Sequence, residues 1–239
     1  MKKLLSSLIL GTIFALLLVT SINTAFATTS FPDVDENTSY YDAIMWMADN
    51  GVISGHPDGS FKPDDCVNRA EMLKMLFLAS ETDLNDMAMG GLYPDVDPEA
   101  WYYEYVKKAS IMGIVGGYPD GNFRPEQCVN RVEAIKMGVN QFGLEWSDAA
   151  IYGHFWIDID ETAWYFEYFE IATIANVLGL DHTFVGDGIS YFPDESMSRK
   201  EAAEMLYRMK TVKDNDIDIY YEGMYEPNLI GDQGFAVIP

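Results

Sequence analysis

Phe31-Pro32-Asp33-Val34-Asp35 returns 62 positions later as Tyr93-Pro94-Asp95-Val96-Asp97, and again in weaker form as Trp156-Ile157-Asp158-Ile159-Asp160. A fixed period of this kind marks a repeat architecture, in which one supersecondary unit recurs and neighbouring copies cover each other's apolar faces. Two further blocks keep the same order. The turn His56-Pro57-Asp58-Gly59-Ser60-Phe61 returns as Tyr118-Pro119-Asp120-Gly121-Asn122-Phe123. Cys66-Val67-Asn68-Arg69-Ala70-Glu71 returns as Cys128-Val129-Asn130-Arg131-Val132-Glu133, and then as Ser196-Met197-Ser198-Arg199-Lys200-Glu201. The third copy carries a few extra residues between Leu180 and Tyr191, read as a longer loop.

Each copy predicts a helix, a turn and a second helix. Tyr40, Ile44, Met47 and Gly51 step at helical spacing, and Asn50-Gly51 is a stop signal. The equivalent first helices are expected from about Trp101 to Met112 and from about Trp164 to Ala175. In Pro-Asp-Gly the proline presets one dihedral and the glycine accepts a positive one, so a short hairpin or irregular loop should follow. The second helices open on Asn68 and Glu71, Asn130 and Glu133, and Ser198 and Glu201, the spacing of a capping box. Behind these caps run apolar stripes: Leu73, Leu76 and Phe77; Val132, Ile135, Val139 and Phe142; Ala202, Met205, Leu206 and Met209. One helical hairpin cannot bury such a stripe alone. The expected fold is therefore mainly α, with three tandem helix-turn-helix units burying their stripes against each other.

The chain's start points to export. Lys2 and Lys3 precede an apolar run from Leu4 to about Val19, and Ala25-Phe26-Ala27 offers the small residues that a signal peptidase accepts, so residues 1–27 read as a signal peptide. No transmembrane segment is expected after its cleavage. With 38 acidic against 15 basic residues the formal net charge is −23, and it is more negative still without Lys2 and Lys3. Such a charge opposes nonspecific binding to nucleic acid or to an anionic wall. An anionic ligand would have to be caught by local, directed groups.

The ordered blocks resemble the S-layer homology (SLH) family. Its repeat runs from an aromatic-x-Asp-Val element through a helix to a Gly-Ile/Val-x-x-Gly stretch, matched here by Gly51-Val52-Ile53-Ser54-Gly55 and Gly113-Ile114-Val115-Gly116-Gly117. It continues through an Asp-Gly-x-Phe-x-Pro turn to a Thr-Arg-Ala-Glu helix start, approached by Asn68-Arg69-Ala70-Glu71. The resemblance divides the chain into SLH repeats at 31–80, 93–143 and 155–210, with an acidic C-terminal tail at 211–239. It implies three lobes in a pseudo-threefold bundle, with ligand grooves between neighbouring lobes.

It also implies a function: non-covalent attachment to the bacterial cell envelope, outside the membrane at the cell wall or S-layer. The implied ligand is an acidic secondary cell-wall polysaccharide, whose ketal-linked pyruvate meets the motif arginine. That role falls to Arg69, Arg131 and Arg199. Trp101 and Trp164 match the family's early-helix tryptophan, where repeat one has Ser39 beside Tyr40. The expected ligand-binding set is completed by Gly55 and Gly117. Asn68 and Asn130 replace the family threonine, and repeat three lacks Pro-Asp-Gly, so one or two competent grooves are expected before three. Arg131 stands out as the foremost of the three arginines, because repeat two matches best and carries Trp101.

From the residues themselves, an arginine at a helix start is electrostatically awkward. Beside free helix-start amides it would form a directed carboxylate receptor; otherwise it pairs with an acidic neighbour or packs its stem along the surface. Aromatics 101–105 and 164–168 are too many for one stripe, so some should face outward. Cys66 and Cys128 share a repeat position, with Ser196 in the third copy. A disulfide fits an exported protein, but only if the two positions lie near the repeat axis with Cα atoms within about 7 Å. Asp33-x-Asp35-x-Asn37 and Asp214-x-Asp216-x-Asp218 lack the glycine and the terminal glutamate of a calcium loop, and read as solvated loops. His56, His154 and His182 are scattered, with no persuasive triad. No catalytic residue, metal or cofactor is expected. Self-assembly, docking of another envelope protein and a glycan hydrolase remain the competing readings.

Overall fold

The computed structural model describes residues 30–85, 93–145, 156–179, 183–185 and 188–220. The signal-peptide reading of residues 1–27 lies outside them. Among the described residues six helices follow in order: α1 Tyr41–Asp49, α2 Arg69–Ala79, α3 Tyr103–Ile111, α4 Arg131–Phe142, α5 Phe166–Ile174 and α6 Arg199–Asp214. The only named strands among the described residues are β1 Thr183–Val185 and β2 Gly188–Ser190, an antiparallel hairpin in the longer loop of the third copy. The fold is mainly α, as expected.

The capping boxes form in full. Asn68, Asn130 and Ser198 each accept the amide of the glutamate three residues on, and each glutamate side chain reaches back to the cap amide. The first helices have no side-chain cap, and they begin later than expected. Trp101 and Tyr102 stand in a turn, with the Tyr103 amide bonded to Ala100 at 3.0 Å and the Glu99 amide to Asp97 Oδ1 at 2.9 Å. These helices end in a shared left-handed residue, Gly51 or Gly113, with Asn176 (φ 54°) in the third unit. Asparagine is one of the few residues that tolerates that region.

The repeated Asp33, Asp95 and Asp158 do structural work that the sequence did not disclose. Each carboxylate takes two consecutive amides of its own unit's turn: Phe61 and Lys62 at 2.8 and 2.7 Å, Phe123 and Arg124 at 2.9 and 2.6 Å, Tyr191 and Phe192 at 3.0 and 2.7 Å. The second residue of each pair is left-handed, with φ of 56°, 61° and 59°. Two charge-assisted bonds hold a backbone conformation that lysine, arginine and phenylalanine disfavour.

The three units close on each other in a ring. The Val67 amide donates to Met197, Val129 to Val67 and Met197 to Val129, all at 2.9 to 3.0 Å. Around this junction α2, α4 and α6 pack mutually, and each also packs on the next unit's first helix: α2 on α3, α4 on α5, α6 on α1. A continuous buried core results, holding Leu73, Phe77, Ile135, Phe169 and Met205 among many others. The axis also decides the cysteines. Cys66 and Cys128 form a disulfide with Cα atoms 5.8 Å apart.

The tail starts later than 211. α6 runs on to Asp214 with Thr211 and Val212 buried, because Val212 continues the stripe of Met205 and Met209. Beyond it the chain turns back. The Tyr220 amide donates to Ala175 at 2.9 Å, its carbonyl accepts from Asn176 at 3.0 Å, and its ring is buried.

Candidate functional site

Two concave grooves lie between units, each built from three of them. Groove one, about 200 Å³, is walled by the 52–57 loop and by Glu71 and Lys74 of α2, with Trp101 from the second unit and Arg199 from the third. Groove two, about 270 Å³, repeats the plan with the 114–119 loop, Glu133, Lys136, Trp164 and Arg69. Arg69 and Arg199 therefore each serve a groove whose loop and second helix belong to the next unit around the ring. This corrects the pairing of Arg131 with Trp101: Trp101 shares its groove with Arg199.

The helix-start amides are not free, contrary to the receptor pictured from sequence. Those of Arg69, Arg131 and Arg199 donate to Gln127, Glu195 and Asp65 at 2.9 Å, and the next amide in each helix donates to Pro125, Pro193 or Pro63. What the arginines offer is their guanidinium alone. Arg69 and Arg199 are only 4% and 7% exposed. Arg199 gives Nε to the Phe61 carbonyl at 2.8 Å and Nη2 to Ser54 at 3.2 Å, over the Phe61 ring. Arg69 does the same with Phe123 and Gly116.

The three arginines differ in how far the protein neutralises them. Arg131 meets Glu201 in a direct ion pair, has Glu195 at 3.7 Å and donates to the Tyr191 carbonyl at 2.7 Å. Burial disfavours its charge, but the Glu201 carboxylate outweighs that and raises its pKa. Arg69 has Glu133 at 3.5 Å. Arg199 has no carboxylate within ion-pair reach among the described residues; burial lowers its pKa, against the weaker pull of Glu71, Asp65 and Asp33.

Trp101 and Trp164 face outward, 53% and 57% exposed. Lys74 Nζ sits 5.6 Å from the Trp101 ring and Lys136 Nζ 5.5 Å from Trp164, within cation–π range. Gly55 and Gly117 line the two grooves and also carry packing: a Cβ on Gly117 would lie 2.7 Å from the Tyr93 ring, and one on Gly55 3.1 Å from Phe31. Sequence reasoning missed Lys74 and Lys136, although both stand five residues after their arginine. The same position in the third unit is Glu204, ion-paired with Arg208. Where Lys74 and Lys136 add a cation, the third unit adds a carboxylate.

Residues 30–73 and 92–135 match the S-layer homology domain. The chain is also similar to an S-layer protein of Bacillus licheniformis, 28% identical over 182 residues, covering 76% of this chain and 20% of that protein. A cellulosome-anchoring protein of Acetivibrio thermocellus is 28% identical over 172 residues, covering 65% of this chain and 38% of the relative. Cell surface glycoprotein 1 of the same organism is 30% identical over 103 residues, 40% of this chain and 4% of that protein. The chain thus spans well under half the length of these relatives. The two matched segments supply the loops of both grooves and the first residues of their second helices, Glu71 and Glu133, while Lys74 and Lys136 lie just beyond them and Arg199 and Trp164 belong to the third unit. Neither groove is complete without the third unit.

Proposed function

We propose that the chain is an exported, non-catalytic anchor of the bacterial cell surface, built from three S-layer homology repeats, that holds cell-wall polysaccharide in its inter-repeat grooves. The third repeat of this reading, residues 155–210, is divergent in sequence, and its described part has the helix order, the second-helix cap and the aspartate clamp of the two matched segments, with α6 running on to Asp214. The ligand is an acidic glycan, with ketal-linked pyruvate as its carboxylate. One observation carries this reading: Arg199, buried and without an ion-pair partner among the described residues, lies in the same groove as an exposed tryptophan. A buried cation without a counter-ion is costly, and an incoming carboxylate removes that cost. A flat exposed ring offers a stacking face for the apolar side of a sugar.

The test is calorimetric titration of the chain with purified wall polymer, before and after mild acid removal of ketal groups. Carboxylate-dependent binding without turnover is the expected result. Binding unchanged by ketal removal would overturn the pyruvate assignment, and the absence of any binding to wall polymer would overturn the anchor reading itself.

A further inference from the structure

Three loops of one design hold the starts of the second helices, and cysteine stands in two of them. Asp65 and Pro63 of the first unit accept the amides of Arg199 and Lys200 at 2.9 and 3.0 Å, and Cys66 follows Asp65. Gln127 and Pro125 of the second unit accept the amides of Arg69 and Ala70 at 2.9 and 3.1 Å, and Cys128 follows Gln127. In the third unit Glu195 and Pro193 accept those of Arg131 and Val132 at 2.9 and 3.3 Å, and the next residue is Ser196. The disulfide therefore joins the two loops that seat Arg199 and Arg69, the arginines of grooves one and two. The loop outside it seats Arg131, whose guanidinium Glu201 already holds.

The bridge also faces solvent. Cys66 is exposed and Cys128 half-buried, and exposed disulfides are the ones that thiols reduce most readily. Resting on the groove-binding reading above for its role, we propose that Cys66–Cys128 is a redox-sensitive brace for the two groove arginines: oxidised, it ties their supporting loops to each other; reduced, it frees the loops, and Arg69 and Arg199 leave their seats more often. The reductant is a small dithiol. One of its thiolates attacks the Cys66 sulfur, the S–S bond breaks, and its electron pair leaves on Cys128 Sγ, which takes a proton. The second thiolate then displaces Cys66 as a thiol, so the bridge gains two electrons and two protons while the reagent closes into a cyclic disulfide. The fold outlasts this step, because the Val67, Val129 and Met197 backbone bonds of the junction remain. Each helix start keeps its capping box and loses only the covalent tie behind its support.

The experiment uses the full chain without ligand. Dithiothreitol is first added under native conditions and the freed thiols are trapped with iodoacetamide. The reduction rate should rise in proportion to the reagent; a rate that levels off at that of global unfolding would overturn a brace that opens in the folded state. Amide hydrogen exchange is then followed residue by residue, oxidised and reduced, in zero and low urea, which separates local opening from global unfolding. Reduction should speed the urea-insensitive exchange of Arg69, Ala70, Arg199 and Lys200 about tenfold and leave Arg131 and Val132 within about twofold of their oxidised rates. The double variant Cys66→Ser with Cys128→Ser should exchange as the reduced chain does and ignore the reagent. Far-UV circular dichroism confirms its fold, and reduced wild type carries the comparison if the variant does not fold. Equal acceleration at all six amides, or none at any, overturns the inference. Because no ligand is present, either result leaves the groove-binding reading to its own test with wall polymer.

Discussion

Replacing Cys66 and Cys128 together by serine tests how the ring of repeats is stabilised, because serine already stands at the third equivalent position as Ser196. The bridge closes a loop with a sequence separation of 62 across the pseudo-threefold axis. Removing that constraint from the unfolded chain should cost about 4 kcal/mol on the chain-entropy relation, with about 2 kcal/mol as a floor if the unfolded chain keeps some structure. In the folded state little else changes: the Val67, Val129 and Met197 hydrogen bonds are backbone and survive the substitution. Urea denaturation at neutral pH is the assay. The variant should unfold at lower urea with a larger m value, since its unfolded chain exposes more surface. Wild type under dithiothreitol should fall to the same curve, and the variant should ignore the reductant. Coincident curves for oxidised wild type and variant would refute the reasoning.

Three further outcomes are expected. Asp158→Asn removes the carboxylate that holds the Tyr191 and Phe192 amides with Phe192 left-handed, and should destabilise by about 1 to 3 kcal/mol; an unchanged denaturation midpoint would show that the turn stands without its clamp. Burial pushes the Glu201 carboxyl up, but the Ser198 bonds and the Arg131 charge outweigh it and hold its pKa below the usual range, so its contribution is complete above that range and lost as pH falls through the lowered value. Glu201→Gln should therefore lower the melting temperature at pH 7 and shrink the wild-type fall between pH 5 and pH 3; parallel curves would contradict it. Because the chain carries −23, long-range repulsion should slow encounter with an acidic polymer, and raising salt from about 10 to about 100 mM, where the Debye length shortens from about 30 to about 10 Å, should speed association; steady slowing with salt would mean that the grooves' own cations dominate the approach.

Local features were the legible part of this fold. The caps at Asn68, Asn130 and Ser198 could be read because a capping box is written within four residues, and the stripes of α2, α4 and α6 because period and burial coincide. Val212 was legible too, one step further along the stripe of Met205 and Met209, but the acidic run beside it masked the signal. The aspartate clamps were not legible, since Asp33 meets its amides at residues 61 and 62 and nothing local announces the partner. Nor was the direction in which each arginine points. Arg131 and Trp101 lie in one repeat, yet α4 opens toward the third unit, where Glu201 takes its guanidinium. Lys74 and Lys136 were there to be found by comparing charge at one repeat position, which sets them against Glu204.

The cyclic sharing of side chains ties the assembly of each groove to completion of the ring. Groove one has its loop and lysine in the first unit, its tryptophan in the second and its arginine in the third. The helix start that carries Arg199 is held by carbonyls of Asp65 and Pro63, so the third unit's position is fixed by the first. A protein with two such units would therefore lose the cation of groove one along with the packing of α6 on α1. In the opposite sense, a carboxylate bound at Arg199 would join the third unit's arginine to the first unit's loop and lysine, and so favour the closed ring over any state in which the third unit has separated. The divergence of the third unit then has a physical reading. Its arginine helps to build groove one and its tryptophan groove two, while its own second helix sets Glu201 against Arg131 and carries Glu204, paired with Arg208, in the lysine position. The third unit matters to the grooves of the other two through the residues it lends them, Arg199 and Trp164.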